Sequence, residues 1–320
     1  MKRNSQHSAP ARRVKKDVDT SQCSSGLVVA THGRHLIVED DEGERLTCHP
    51  RGKKSEAVVG DRVQWQPTQE GADEGVVVAV EERRNLLYRQ DEWRSKSFAA
   101  NLDQLLMWIA VEPTFSESQL TRALISAESA GIPATIVLNK IDLPGAPIAR
   151  ERLAPYRAMG YNVVEMSLKK DTEAAREQVE PLLNGKASLV LGPSGAGKST
   201  LINTLLPNAR AETQEISQAL NSGKHTTTSS LWYWLDGTRT SAVIDSPGFQ
   251  EFGMHHIPPT ELARWMPDIA KHMNDCRFHN CTHRQEPGCA VQAALERGEV
   301  SPIRLSLYTD LFDELSQPRW

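Results

Sequence analysis

Eight consecutive residues, Gly192-Pro193-Ser194-Gly195-Ala196-Gly197-Lys198-Ser199, have the spacing G-x-x-x-x-G-K-[ST], and Thr200 follows them. Glycines at these places let backbone N–H groups turn inward around anionic oxygens. Lys198 brings a compact positive charge to β- and γ-phosphates, and the Ser199 hydroxyl is a ligand type for Mg²⁺. An apolar run, 187–191, comes just before the turn. The stretch after Lys198 has helical spacing in Leu201, Ile202, Leu205 and Leu206. That helix would aim its N-terminal dipole at the same anion. The chemistry is nucleotide phosphate binding by Gly192, Ser194, Gly195, Ala196, Gly197, Lys198, Ser199 and Thr200.

A second group reads as a base site. Asn139-Lys140-Ile141-Asp142 follows the apolar run 134–138. A carboxylate at Asp142 accepts both N1–H and the 2-amino group of guanine, and adenine has no such pair of donors. The penalty for unpaired buried polar groups makes this a device for GTP over ATP. Asn139 is expected on the other base edge, and the Lys140 stem along the ring. Ser167-Leu168, after the strand-like 163–166, is a candidate second base-contacting loop. Asp245-Ser246-Pro247-Gly248 closes a strand over 241–244. Asp245 there can hold Mg²⁺ through water, and the Gly248 N–H can reach a γ-phosphate. Between the loops lies Gly223-Lys224-His225-Thr226-Thr227-Thr228, one of whose threonines could complete the Mg²⁺ shell. Phe249 stands where Ras-type enzymes place a water-orienting glutamine, so His225 is the candidate for that task, set against a plain surface histidine.

A third group is soft. Cys276, Cys281, His283 and Cys289 bring three thiols and an imidazole close together in sequence. This is the donor set of a closed, structural tetrahedral Zn²⁺ site, one per chain, with His279 and His272 as rival ligands. Clustering of three of the five cysteines argues for metal in a reducing cytoplasm rather than a disulfide framework.

These groups need elements to position them. Short β-rich runs at 26–31, 34–39, 44–48, 61–66 and 75–80, punctuated by glycines, predict a five-stranded barrel, oligonucleotide-binding or SH3-like. Beyond about residue 95, strands over 102–111, 134–138, 187–191 and 241–244 alternate with helices such as 117–130. That pattern predicts a mostly parallel sheet. From Pro258 the chain reads as helices, the last entered through Ser301-Pro302. The fold class is therefore multidomain. It comprises a basic disordered arm (1–24), an N-terminal all-β oligonucleotide-binding barrel (25–90), a central α/β P-loop domain (91–253) and a mostly helical zinc domain (254–320). Net charge is −4. Six of the cations, with no acid, fall within residues 1–16, leaving a basic arm on an acidic body and excluding a uniformly basic nucleic-acid coat. No apolar run approaches the ~18 residues of a membrane span.

The order of the motifs is informative. N-K-x-D at 139–142 comes before the P-loop at 192–199, which comes before D-x-P-G at 245–248, whereas Ras-like GTPases begin with the P-loop. The chain thus resembles a circularly permuted GTPase. With G-P-S-G-A-G-K-S-T, H-T-T-T at 225–228, D-S-P-G-F at 245–249 and the Cys/His cluster, it resembles the bacterial ribosome small subunit-dependent GTPases over about residues 25–300. The resemblance implies GTP hydrolysis with Mg²⁺ stimulated by the 30S ribosomal subunit, and contact with 16S rRNA. It also implies a role in late small-subunit maturation; the cysteine usage points to a cytoplasmic location, and a monomer is expected. The resemblance makes Thr227 the Mg²⁺ threonine alongside Ser199, gives His225 and Lys198 roles in hydrolysis, and makes Cys276, Cys281, His283 and Cys289 the zinc ligands. Lys224 departs from the family's usual arginine, keeping the charge without the planar fork. Two other readings are a nucleotide-switched binding module without a hydrolytic group, which Phe249 favours, and a zinc RNA-binding protein with a vestigial P-loop. Trp65 is the one Phe, Trp or Tyr between residues 26 and 80. Contacts to phosphate and shape are therefore expected of the barrel rather than base stacking.

Overall fold

The structure is a computed structural model. It describes residues 20–32, 35–52, 57–69, 74–91, 94–207, 230–246, 254 and 256–317, with backbone alone at 89–91 and 94–96. The expected arm at 1–19 and the expected switch residues His225, Thr227, Gly248 and Phe249 lie outside these.

The barrel strands are β1 (Ser24–His32), β2 (His35–Glu39), β3 (Arg45–Pro50), β4 (Arg62–Pro67) and β5 (Glu74–Val80). They run β1-β2-β3-β5-β4, and β4 returns to pair with β1, closing the sheet. The β3–β5 pair is parallel and the other barrel pairs are antiparallel, so the chain does not simply meander. This suits the Greek-key path of an oligonucleotide-binding barrel. Leu36 and Val38 on β2, and Val63 and Trp65 on β4, sit two residues apart and fill the interior with Val28, Cys48 and Val77. On β4 that is the period of a strand with one buried face, whereas β2 also buries Ile37 and Glu39 on its other face. Trp65 is core, its indole donating to the Ser25 carbonyl at 3.3 Å, so it is not presented for stacking.

A hairpin that the sequence did not announce follows, β6 (Leu86–Asp91) and β7 (Arg94–Ala100), and the boundary expected at 90/91 falls inside β6. Nearby, Arg83 forks onto the fully buried Asp61 at 2.7 and 2.8 Å.

The central sheet comprises β8 (Gln104–Ala110), β9 (Ala134–Asn139), β10 (Asn162–Glu165), β11 (Ala187–Leu191), β12 (Leu231–Trp234) and β13 (Ala242–Asp245). Its order is β10-β9-β8-β11-β13-β12, parallel except for β12. Every residue of β8 is buried, as a central parallel strand requires. The chain steps outward from β8 through helix α1 (Glu117–Ser129), β9, helix α2 (Ala146–Ala158) and β10. It then crosses through helix α3 (Thr172–Leu183) to lay β11 on the other side of β8. Winding therefore reverses between β8 and β11. In open α/β sheets the ligand crevice lies outside the carboxyl ends at such a point. Ser116 and Asp171 cap α1 and α3 by accepting from the Gln119 and Ala174 amides. β12 also pairs with β1 at Leu231 and Ala30, making barrel and central sheet continuous.

The last part has a 3₁₀ segment (Pro259–Trp265) and helices α5 (Pro267–Ala270), α6 (Ala290–Glu296) and α7 (Pro302–Ser316). Ser301 caps α7 with Pro302 at its first turn, as the sequence predicts, and Leu305, Tyr308, Leu311 and Phe312 are buried. Arg304 ties this part to the central domain. It forks onto Asp268 at 2.7 and 2.9 Å and donates to Thr121 Oγ1 of α1 at 2.9 Å. Both charges are almost wholly buried. Arg304→Met alone should cost about 3–5 kcal/mol in denaturant unfolding, because it leaves the Asp268 carboxylate unpaired. Adding Asp268→Leu should restore most of the loss.

Candidate nucleotide site and metal centre

The P-loop leaves the carboxyl end of β11 and enters helix α4 (Lys198–Leu205) at the reversal point. Gly195 and Gly197 have φ of +79° and +104°, values that side-chain-bearing residues rarely adopt. A Cβ on Gly197 would also lie 2.5 Å from Asn139 Nδ2 and would displace that amide. At the start of the loop, a Cβ on Gly192 would lie 1.8 Å from the Trp108 carbonyl oxygen. Ser194, Gly195, Ser199 and Thr200 are exposed, while Gly192, Ala196 and Lys198 are buried. Lys198 Nζ donates to the Gly192 and Pro193 carbonyls at 2.7 and 3.0 Å. Burial holds its ammonium below the ordinary lysine range, with Asp245 acting against that shift. Asp245, last in β13, is pushed up to about 6 by burial, Lys198 opposing. An anion and a cation in this crevice would relieve both groups. Ser246 is fixed by donating to the Val190 carbonyl at 2.9 Å.

The base loop comes to the same crevice from the carboxyl end of β9. Asp142 is exposed and doubly tied to Ser167, whose hydroxyl accepts from the Asp142 amide at 2.9 Å and donates to Oδ1 at 2.7 Å. Ser167-Leu168 thus stands beside N-K-x-D as the sequence suggests. Asn139, expected on the other base edge, is also tied to backbone. Its amide has three backbone partners: Oδ1 accepts from the Lys140 and Leu168 amides at 2.8 and 3.1 Å, and Nδ2 donates to the Ala196 carbonyl at 2.9 Å. The side chain is a stitch between base loop and P-loop. Lys140 has φ of +62°, and its Nζ bridges the Glu112 and Gly195 carbonyls at 2.6 and 2.8 Å. The aliphatic stem is thereby stretched between the two loops, where it can underlie a flat ring. Sequence reasoning missed Trp108, whose indole donates to the Ala196 carbonyl at 3.1 Å. The available signal was that a buried Trp N–H usually finds a partner.

The ligand atoms of Cys276, Cys281, His283 and Cys289 all lie within 4.8 Å of one another. His283 Nδ1 is 3.4 and 3.6 Å from the Cys276 and Cys289 sulfurs, which are 4.0 Å apart. A zinc tetrahedron with bonds of about 2.3 Å to sulfur has edges of about 3.8 Å, so the donor set fits in type and spacing. Among the rivals, His279 is exposed and outside the group, and His272 lies 3.5 Å from Glu299. Burial, with the neighbouring Cys289 and Cys276 thiols, pushes the Cys281 thiol up to about 12. A divalent cation reverses such a preference by favouring thiolate. Gln292 braces the ligand loop by donating to the His283 carbonyl at 2.9 Å, and the Tyr308 hydroxyl donates to the Thr282 carbonyl at 3.0 Å.

Comparison with known proteins agrees with this geometry. The family described as RsgA GTPase matches residues 80–255. The chain is 58% identical over 319 residues to the small ribosomal subunit biogenesis GTPase RsgA of Variovorax paradoxus (strain S110), covering 97% of this chain and 99% of that one. The protein of the same name from Burkholderia pseudomallei (strain K96243) is 53% identical over 311 residues, covering 96% of each. Among solved structures, YjeQ from Thermotoga maritima is similar with a TM-score of 0.68 and 32% identity, covering 93% of this chain and 100% of that one. YloQ, described as a circularly permuted GTPase, is similar with a TM-score of 0.66 and 26% identity, covering 94% and 98%.

Proposed function

The chain belongs to the RsgA GTPase family and is a GTP-hydrolysing enzyme, and on that footing we propose that it acts in biogenesis of the small ribosomal subunit, hydrolysing GTP when docked there. The observation that carries the reading is the joining of base loop to P-loop through Asn139 and Lys140 at the reversal between β8 and β11. One nucleotide would meet both loops, although the motifs stand in permuted order along the chain.

In this reading Asp142, held by Ser167, selects guanine. The P-loop N–H groups and Lys198 hold the β- and γ-phosphates and stabilise charge as water attacks. Ser199 and Thr227 would hold Mg²⁺, with Asp245 holding it through water, and the ion would supply further charge neutralisation on the phosphates. The motif reading gives His225 the orientation of water and the Gly248 N–H a γ-phosphate contact, and the resemblance adds that His225 assists hydrolysis. Cys276, Cys281, His283 and Cys289 would hold one structural zinc. The domains proposed are those read from the sequence, arm 1–24, barrel 25–90, GTPase domain 91–253 and zinc domain 254–320, with the barrel's limits moved to the start of β1 and to just before β6 so that neither strand is divided.

The partner proposed is the 30S subunit, with 16S rRNA met by the barrel, the zinc domain and the basic arm, and with phosphate contacts positioning the protein. We place the protein in the cytoplasm as a monomer. Among the described residues, no helix is long and apolar enough to cross a membrane. Purified 30S subunits should raise GTP turnover at least tenfold over the protein alone. Unchanged turnover at saturating 30S would overturn the ribosomal assignment.

A further inference from the structure

Both ends of the phosphate loop rest on one residue outside every nucleotide motif. Trp108, fully buried in β8, donates its indole N–H to the Ala196 carbonyl at 3.1 Å. Its own carbonyl lies so close to Gly192 that no Cβ could fit between them. The Ala196 carbonyl has a second donor, Asn139 Nδ2 at 2.9 Å. One oxygen therefore receives one hydrogen bond from the base loop and one from the central strand.

That oxygen needs a reason to point where it does. The Ala196–Gly197 peptide is followed by a glycine at φ +104° and comes one residue after another at φ +79°. Glycines allow many torsions, so local sterics alone do not fix the orientation of this peptide. Flipped, it would turn a carbonyl toward the phosphates and remove the Gly197 N–H from them. A carbonyl facing a phosphate repels it, whereas an N–H binds it.

We propose that Trp108 is a positioning residue of the phosphate loop. It holds the Ala196–Gly197 peptide with its carbonyl inward and its N–H toward the nucleotide, and it shares this work with Asn139. The proposal rests on the guanine-nucleotide reading above and adds to it a residue that neither the P-loop nor N-K-x-D contains. It also explains how base capture and phosphate capture are linked, because the same carbonyl reports to both loops.

The test uses the full chain with GDP and GTP titrations, steady-state kinetics and thermal melts. Trp108→Phe keeps an aromatic ring and loses the donor. It should weaken nucleotide affinity and raise KM about three- to tenfold, the effect of one buried hydrogen bond, while kcat at saturating GTP holds within about twofold. Trp108→His, which returns a ring N–H, should regain part of the lost affinity. In the Trp108→Phe background, Asn139→Ala should cost more than in the wild-type chain, because the carbonyl then has no donor left. Affinity unchanged in Trp108→Phe, or equal effects of Asn139→Ala in both backgrounds, would overturn the proposal and leave the GTPase reading standing. Equal loss in the Phe and His variants, tracking a lowered Tm, would likewise overturn it by making Trp108 a packing residue only. Failure of the wild-type chain to bind guanine nucleotide would overturn both.

Discussion

Asp142→Asn should lower GTP affinity by about two to three orders of magnitude and turn preference toward xanthosine triphosphate. The carboxylate offers two acceptors to the two donors on the guanine edge. An amide offers one acceptor and one donor, so one guanine N–H meets an N–H and both lose their partners. Sites built on such pairing reject the wrong analogue by about 10⁴-fold or more when fully enclosed, and Asp142 is exposed, so a smaller factor is expected. Xanthine carries a carbonyl in place of the 2-amino group and restores the match. The structure also says which way the amide would face. Ser167 donates to Oδ1 at 2.7 Å, so the carbonyl oxygen of the new Asn stays on Ser167 and its nitrogen takes the other position. Ser167→Ala in the same background should blur the switch, since nothing then sorts the two ends of the amide. Titration with GDP and XDP measures both. A variant that keeps the wild-type preference for GDP would remove Asp142 from base recognition.

Much of this architecture was legible because its signals are local. Strand β4 shows period-two burial in Val63 with Trp65, between the partly exposed Arg62, Gln64 and Gln66. Positive φ dictates Gly195 and Gly197, and the approach of the Trp108 carbonyl dictates Gly192. What escaped was long-range. Nothing near Trp108 in sequence shows that its indole will meet Ala196, eighty-eight positions away. The N-K-x-D motif, read alone, shows only the base-facing task of Asn139 and not its ties to other loops. Those partners, Ala196 and Leu168, arrive from other strands. Helices α2 and α3 each carry an internal proline, Pro155 and Pro181, which weakens a periodicity reading, and both were missed. β12 is short, and its Leu-Trp-Tyr-Trp run gives little periodicity to read.

The metal site carries the other large expected effect. Between Cys276 and Cys289, His283 is the one buried residue, and Arg277, Phe278, His279 and Asn280 are exposed. This loop has almost no apolar material with which to fold. The helices around it are different. Met254, Leu262, Met266, Ile269, Val291, Leu305, Tyr308 and Leu311 form a buried cluster that also takes in Ile125 of α1 and Cys289, and only its α7 part, with Leu305, Tyr308 and Leu311 on one face, is legible in the sequence. Metal loss should therefore melt the loop and leave the helices packed. Cys281→Ser should drop bound zinc well below one per chain. It should also lower the local opening free energy of residues 276–289 by at least about 5 kcal/mol, part of the roughly 10–16 kcal/mol that structural zinc gives isolated fingers. Hydrogen exchange should show this as fast exchange across 276–289 with protection kept in α7. GTP affinity should stay within about threefold, because no ligand of the cluster belongs to the nucleotide crevice. Full zinc content in Cys281→Ser would remove it from the ligand set. Simultaneous loss of α7 protection would mean instead that the metal holds the whole helical region, and that the apolar cluster cannot stand without it.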